Sequence, residues 1–421
     1  MIQLCQIRTN FKLRHGDLGK LGVLTIVMAL GISSLAFART KDPIDQAPPQ
    51  ILATNGLEVF QSPDSDRRMV YDFTPSKNGK PVMVFLHGLG DNLFKLQALE
   101  NLAIEAGYGV LRVDLHLHGE TLKEYLRHNR ELPHHLDYAE NTRDIADLIK
   151  YKNLRDIIII GHSYGGGIAF DLARYLVQTA PEINIESVHP LAPYVQRIDK
   201  FLKSYFASPR FMISQTSEMM KAGTGGMMSS FIDNIMQPMA SMMAAMFSGV
   251  RMMQAHVEDM IGWDAVNDLV MDPVLENCMR VSYESYFLMN MNKRRFQLTD
   301  EEKYELDVQV EAAIRVTKGI RGYDLLDPTI SLPPSMPPID VIGGVHDSLV
   351  VPDQLREFAQ RLRGAKLQST LTFMEGVNAD HLFPRRMAKL LFSKIVEFND
   401  KHGRKRQPTA ACERSLTEPA R

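Results

Sequence analysis

The chain has 421 residues, 45% of them hydrophobic and 23% charged, with a formal net charge of −2 at pH 7. This is an ordinary globular composition, long enough for one large domain with an insertion or for two domains. A near-neutral charge with no basic stripe interleaved with aromatics gives no support to a nucleic-acid partner. The only cysteines, Cys5, Cys278 and Cys412, form no disulfide framework, so the fold must stand on its core; a Cys278–Cys412 bridge stays open.

Arg8, Lys12, Arg14 and Lys20 precede an uncharged apolar run over residues 21–38, which ends in Ala36-Phe37-Ala38. A basic start, an apolar run and an Ala-x-Ala ending predict a secretory signal peptide cleaved before Arg39, and hence a periplasmic or secreted product. The competing reading is an uncleaved membrane anchor, because the run is almost long enough to span a bilayer. Pro43, Pro48 and Pro49 mark a linker over residues 39–54.

Leu57–Phe60 and Arg68–Phe73 flank a turn-rich stretch and read as an antiparallel hairpin. Val82–Leu86 and Gly109–Asp114 read as strands, with a helical pattern from Phe94 to Ala106 between them. A helix over Leu136–Tyr151 leads into Asp156–Ile160, whose four consecutive isoleucines predict a strand buried on both faces. Strand and helix alternate onward through Ile168–Val177 and Ile185–Leu191, then stop for some 130 residues. They resume with strands at Ile339–Gly344 and near Ser369–Met374 and a helix over Pro384–Lys401. Such alternation predicts an α/β fold with a mostly parallel central sheet and helices on both faces. The boundaries read as a core over 55–194 and 326–403, a helical insertion over 195–325 and a disordered tail over 404–421.

Between the isoleucine strand and the next helix stands Gly161-His162-Ser163-Tyr164-Gly165. Strand, Gly-x-Ser-x-Gly and helix is the setting of a nucleophile elbow. Glycines are needed where a side chain would meet neighbouring backbone at a sharp turn. The turn holds the serine hydroxyl at a helix N-terminus, where N–H groups favour developing negative charge. By itself the motif is also what a glycine-rich turn after a strand would give, so its weight comes from its neighbours.

With those neighbours the chain resembles an α/β-hydrolase of the esterase/lipase type, over roughly residues 55–194 and 335–400. His87-Gly88-Leu89-Gly90 stands where that family has its oxyanion loop. Asp114 to Thr121 resembles its Asp-x-x-Gly-His-Gly-x-Ser turn, with Leu117 in place of the first glycine, so a different backbone is expected there. The stretch from Gly343 to Pro352 resembles the turn carrying the acid, and Asp380-His381 the histidine loop, in the family's order of Ser, Asp, His. The resemblance implies Ser163 as nucleophile, His381 as base and Asp347 as the acid that orients it. It places the oxyanion donors on the backbone N–H groups of Leu89 and Tyr164. Asp340, Asp353 and Asp380 compete for the acid role, and His346 and His402 for that of the base. His116 and His118 could suggest a metal pair, but nothing completes a zinc motif, so no metal or other cofactor is expected and a role in shaping the turn is the better account.

Residues 195–325 hold 17 of the 24 methionines. Met239, Met243, Met246, Val250, Met253, Val257 and Met260 form one stripe at helical spacing after Pro238. Packing accounts for most of such a stripe. In related hydrolases a cap inserted after the sixth strand covers the site, so Met243, Met246 and Met253 are candidates to line an acyl pocket for a long-chain or lipid-like ester. A transient membrane-surface contact through the cap is compatible with this, and the oligomeric state stays open. The resulting expectation is an exported serine hydrolase of carboxylic esters. Acyl transfer or thioester hydrolysis on the same triad, or a catalytically silent binder of apolar ligands, are the alternatives.

Overall fold

The computed structural model describes residues 57–196 and 276–404, with interruptions at 64–66, 129–131, 134–135, 137, 321, 346, 348–349, 376–380, 382, 384–386 and scattered positions between 277 and 292. The predicted signal segment, the methionine stripe, all three cysteines and the tail beyond Arg404 lie outside the described residues.

Eight strands form one sheet: β1 (Glu58–Gln61), β2 (Arg68–Thr74), β3 (Val82–Leu86), β4 (Gly109–Val113), β5 (Asp156–His162), β6 (Asn184–Leu191), β7 (Ile339–Gly344) and β8 (Ser369–Met374). Their order across the sheet is β1-β2-β4-β3-β5-β6-β7-β8. The hairpin β1–β2 joins antiparallel to β4, and β3 to β8 all pair parallel. Helices α1 (Gln97–Glu105), α2 (Gly119–His128), α3 (Tyr138–Tyr151), α4 (Tyr164–Thr179), α5 (Asp300–Gly319), α6 (Pro352–Gly364) and α7 (Ala388–His402) and a 3-10 turn at Arg295–Gln297 complete the described elements, with broken helical residues between 276 and 291.

The isoleucine strand is the spine of the sheet. Ile157 and Ile159 face one core with Ile145, Phe170 and Phe358 from α3, α4 and α6. Ile158 and Ile160 face the other, with Leu99, Leu391 and Ile395 from α1 and α7. All four are fully buried, which is why the run is continuous rather than alternating. Each contributes roughly 1.5–3 kcal/mol of apolar burial.

The chain reverses direction across the sheet at β3: β4 lies on one side of it and β5 on the other. Crevices for ligands open outside the carboxyl ends of parallel strands at such a switch point. There the backbones come unusually close. A Cβ on Gly165, in the first turn of α4, would lie 2.4 Å from the His87 carbonyl oxygen and 2.5 Å from that of Leu86. One on Gly161 would lie 2.0 Å from the Gly165 carbonyl oxygen. Only hydrogen fits at either position.

Two helices were not legible in the sequence. Helix α2 begins inside what reads as a turn, Asp114 to Thr121, and runs on beyond it, and α6 starts at Pro352, where a proline at the first helical position costs no hydrogen bond. The predicted insertion after β6 contains α5, closed at its start by a reciprocal Thr299–Glu302 capping box.

Gly165→Ala is expected to lower unfolding free energy by about 3 kcal/mol, since the end of β3 must move to admit the methyl. Gly364→Ala, with no atom within 4 Å of the added carbon, serves as the control and should be neutral or mildly stabilising. Urea unfolding midpoints measure both; equal midpoints would show that the close approach is not needed.

Candidate active site

Four loops converge at the carboxyl ends of β3, β5, β7 and β8, and each carries one part of the site. Ser163 caps α4 with φ 53° and ψ −114°. This is sparsely populated for a residue with a side chain and of order 1–3 kcal/mol above an ordinary conformation. The elbow is held by its carbonyl, which accepts from the N–H groups of Gly166 (2.9 Å), Gly167 (3.2 Å) and Tyr194 (2.9 Å). Its own N–H donates to Leu191 O at 2.8 Å, tying it to the end of β6. Tyr164, the first residue of α4, puts its N–H at the positive end of the helix dipole.

His87 organises the loop after β3. Its Nδ1 lies 2.8 Å from the Gly88 carbonyl, which can only accept, and its Nε2 accepts from Leu115 N–H at 3.0 Å. The neutral ring therefore has one defined tautomer, and burial lowers its pKa to about 4. The loop then turns through Gly90 at φ 76°, leaving Leu89 half-buried between. A carbon added to Gly88 would lie 3.4 Å from Ser163 Cβ and 3.0 Å from both His162 Nδ1 and Asp91 Oδ2. The loop with Leu89 and the elbow with Ser163 are thus in contact range.

Asp114 joins this loop to the turn after β4. Its two oxygens accept from Leu93 N–H at 2.5 Å and Glu120 N–H at 2.6 Å. Burial raises its pKa to about 7 against the pull of those two donors. Leu117, where the family has glycine, stands at φ 61° with its side chain in the core. The leucine accepts the left-handed conformation that glycine adopts without penalty.

His381 and Asp347 meet. His381 Nδ1 lies 2.9 Å from Asp347 Oδ2, and both residues are buried. Asp347 Oδ1 accepts from Val350 N–H at 2.8 Å, so its turn fixes the carboxylate. Two competitors for the acid role are engaged elsewhere: Asp340 accepts from the hydroxyls of Thr370 and Thr372 on β8, and Asp353 is paired with Arg356 at the surface. His402 lies at the end of α7 beside Gln368. Asp380 and His346 lie outside the described residues. The loop of His381 also touches the elbow directly, since His162, one residue before Ser163, lies 2.7 Å from the His381 carbonyl oxygen.

The histidines of the second turn have structural partners. His116 Nε2 lies 2.7 Å from Asp144 Oδ2, and His118 Nδ1 donates to His116 O at 2.8 Å. Burial alone would raise Asp144, but the hydrogen bonds from His116 and Arg67 outweigh it and hold the carboxyl well below its ordinary range. His118 stacks on Tyr164 with ring centroids 5.9 Å apart. Among the described residues no group of three His, Cys, Asp or Glu is placed to hold a metal ion. Beyond the oxyanion-loop candidate lies a cavity of about 290 Å³, bounded by Gly90, Asp91, Lys95, His118, Phe287 and Gln309. Tyr286, in the chain between β6 and β7, donates to Asp91 there, and Lys95 pairs with the same carboxylate at 3.0 Å.

Sequence comparison places this geometry among known proteins. The Alpha/beta hydrolase family matches residues 83–391. Protein phosphatase methylesterase 1 of Aspergillus oryzae is 30% identical over 132 residues, covering 29% of this chain and 31% of that protein. A non-heme haloperoxidase of Rhodococcus erythropolis is 29% identical over 150 residues, covering 34% of this chain and 45% of that one. The chain spans less than half the length of the curated relatives it matches. Among solved structures, the α/β hydrolase MGS-M2 from a Medee basin deep-sea metagenome library is 13% identical, with a TM-score of 0.48 over 84% of this chain and 100% of that one. Sheet order, elbow and a family match over nearly three-quarters of the sequence agree, and the chain belongs to the alpha/beta hydrolase family.

Proposed function

We propose that the chain is a serine hydrolase that cleaves carboxylic esters through an acyl-enzyme on Ser163. The observation that carries this reading is the His381–Asp347 hydrogen bond at 2.9 Å, on loops beside the strained Ser163 elbow. A serine hydroxyl is a poor nucleophile until a base takes its proton. His381, with Nδ1 committed to Asp347, offers Nε2 for that proton, and Asp347 stabilises the imidazolium that results. Oγ bonds to the ester carbonyl carbon, and the oxyanion is received by the backbone N–H groups of Leu89 and Tyr164. His381 then protonates the departing alkoxide. Water repeats the sequence on the acyl-enzyme, releasing the acid and restoring Ser163. The methylesterase name of one relative supports ester chemistry.

Two finer readings belong to the same proposal. The methionine stripe, with Met243, Met246 and Met253, lines a pocket for a long acyl chain, a reading supported by its spacing and by the softness of methionine. The protein acts outside the cytoplasm, supported by the basic start, apolar run and Ala-x-Ala ending of residues 1–38.

Ser163→Ala, His381→Ala and Asp347→Ala should each keep the wild-type fold by circular dichroism. The first two should lower kcat on a p-nitrophenyl ester by roughly 10⁴-fold or more, and the double Ser163→Ala/His381→Ala variant little further. An Asp347→Ala enzyme with near-normal turnover would overturn the acid assignment.

Each buried methylene of substrate contributes up to about 0.8 kcal/mol. Three or four extra methylenes should therefore raise kcat/KM by roughly one to two decades. Replacing Met243, Met246 and Met253 by Ala should flatten that rise more than it lowers activity on the acetyl ester. Parallel losses on short and long esters, with lower thermal stability, would reduce the stripe to packing.

The exported protein should begin at Arg39 on N-terminal sequencing. Membrane-bound protein retaining residues 21–38 would instead establish an anchor.

A further inference from the structure

His162 stands between the nucleophile and the base. It is the last residue of β5, directly before Ser163, and its ring is buried. Its Nε2 lies 2.7 Å from the main-chain carbonyl oxygen of His381, a contact spanning 219 positions of sequence. A carbonyl can only accept, so the His162 proton is on Nε2 and Nδ1 carries the lone pair. The two imidazoles lie against each other, with centroids 5.0 Å apart and planes tilted by 45°. Phe383, two residues beyond His381, meets the same ring edge-on at 6.0 Å.

His381 is therefore held at two points. Asp347 fixes the side chain through Nδ1, and His162 fixes the main chain through the carbonyl. Neither is enough alone. With only Asp347, the ring could pivot about its carboxylate partner and carry Nε2 away from the serine. With only His162, the ring could rotate about its own side-chain bonds.

We infer that His162 is a positioning residue of the reaction proposed above: its Nε2–H holds the His381 carbonyl, so that the base is presented to Ser163 at a fixed place. The inference rests on that hydrolase reading, and His162 acts on substrate only through His381. The tie also couples the two reacting groups, because His162 and Ser163 share a peptide bond. A shift of the elbow carries the base loop with it.

The role requires a neutral ring, since a cation there would oppose the imidazolium that forms on His381. The charged and titratable groups facing His162 are His381, Asp91, whose Oδ2 lies 3.9 Å from Nδ1, and Lys95 paired with that aspartate. Burial outweighs the attraction of Asp91 and brings the His162 pKa down to about 4, so the ring is neutral at neutral pH.

A buried histidine could also be simple packing, and three variants separate the two roles. Glutamine carries an amide N–H about as far from its Cα as Nε2 is, asparagine carries one that falls short, and leucine carries none. Active sites are counted by stoichiometric fluorophosphonate labelling, and turnover of p-nitrophenyl butyrate is expressed per labelled site. His162→Gln should keep kcat within about threefold of wild type. His162→Asn and His162→Leu should lose roughly 30- to 100-fold in kcat, the cost of misplacing a reacting group, with KM changed by less than about threefold. A leucine variant with wild-type kcat per labelled site would overturn the inference and make His162 packing. If the leucine variant does not fold, the two amides decide, and equal turnover of glutamine and asparagine overturns it. Wild-type protein that takes no label at all would instead remove the hydrolase reading itself.

Discussion

The structure depends on one close approach, between the turn after β5 and the end of β3. Gly161 and Gly165 leave no room for a β-carbon, and that lets the first turn of α4 settle on the carbonyls of Leu86 and His87. Ser163 is driven into a left-handed conformation as a result, with its carbonyl accepting three N–H groups to hold it there. The strain is local and is offset by the sheet: β5 is fully buried on both faces and paired with β3 and β6. Had β5 been an edge strand, the elbow would have had nothing rigid to push against.

Around that point, buried histidines act as struts between segments that lie far apart in the sequence. His87 links the loop after β3 to Leu115, His116 links the next turn to Asp144 on α3, and His162 reaches the loop after β8. An imidazole suits this work because it offers one donor and one acceptor on a rigid ring. Burial keeps the rings of His87, His118 and His162 uncharged, lowering each to about 3 or 4. They can therefore sit close to one another without repulsion, as His87 and His118 do at 5.1 Å.

Much of this was legible in the sequence, and the exceptions have physical causes. The central strands β3 and β5 carry short apolar runs bounded by turn residues, and the Gly-x-Ser-x-Gly run can be read because its glycines are demanded by local sterics. Helix α2 was missed because its first turn lies inside a stretch resembling a turn, Asp114 to Thr121. The choice of Asp347 over Asp340 could be argued from position but not closed, since what occupies Asp340 is a pair of threonines on the neighbouring strand. His162 carried no signal of its own, because its partner is a main-chain carbonyl 219 residues away. Only folding brings such groups together, and periodicity does not report them.

The central claim is that this elbow makes Ser163, among all the serines of the chain, the activated one. It is tested most directly by reacting the folded protein with a fluorophosphonate and mapping the adduct by peptide mass spectrometry. A single adduct on Ser163, slowed by several orders of magnitude in His381→Ala and absent after unfolding, is the predicted result. An adduct on another serine, or labelling of Ser163 at the same rate without His381, would contradict it.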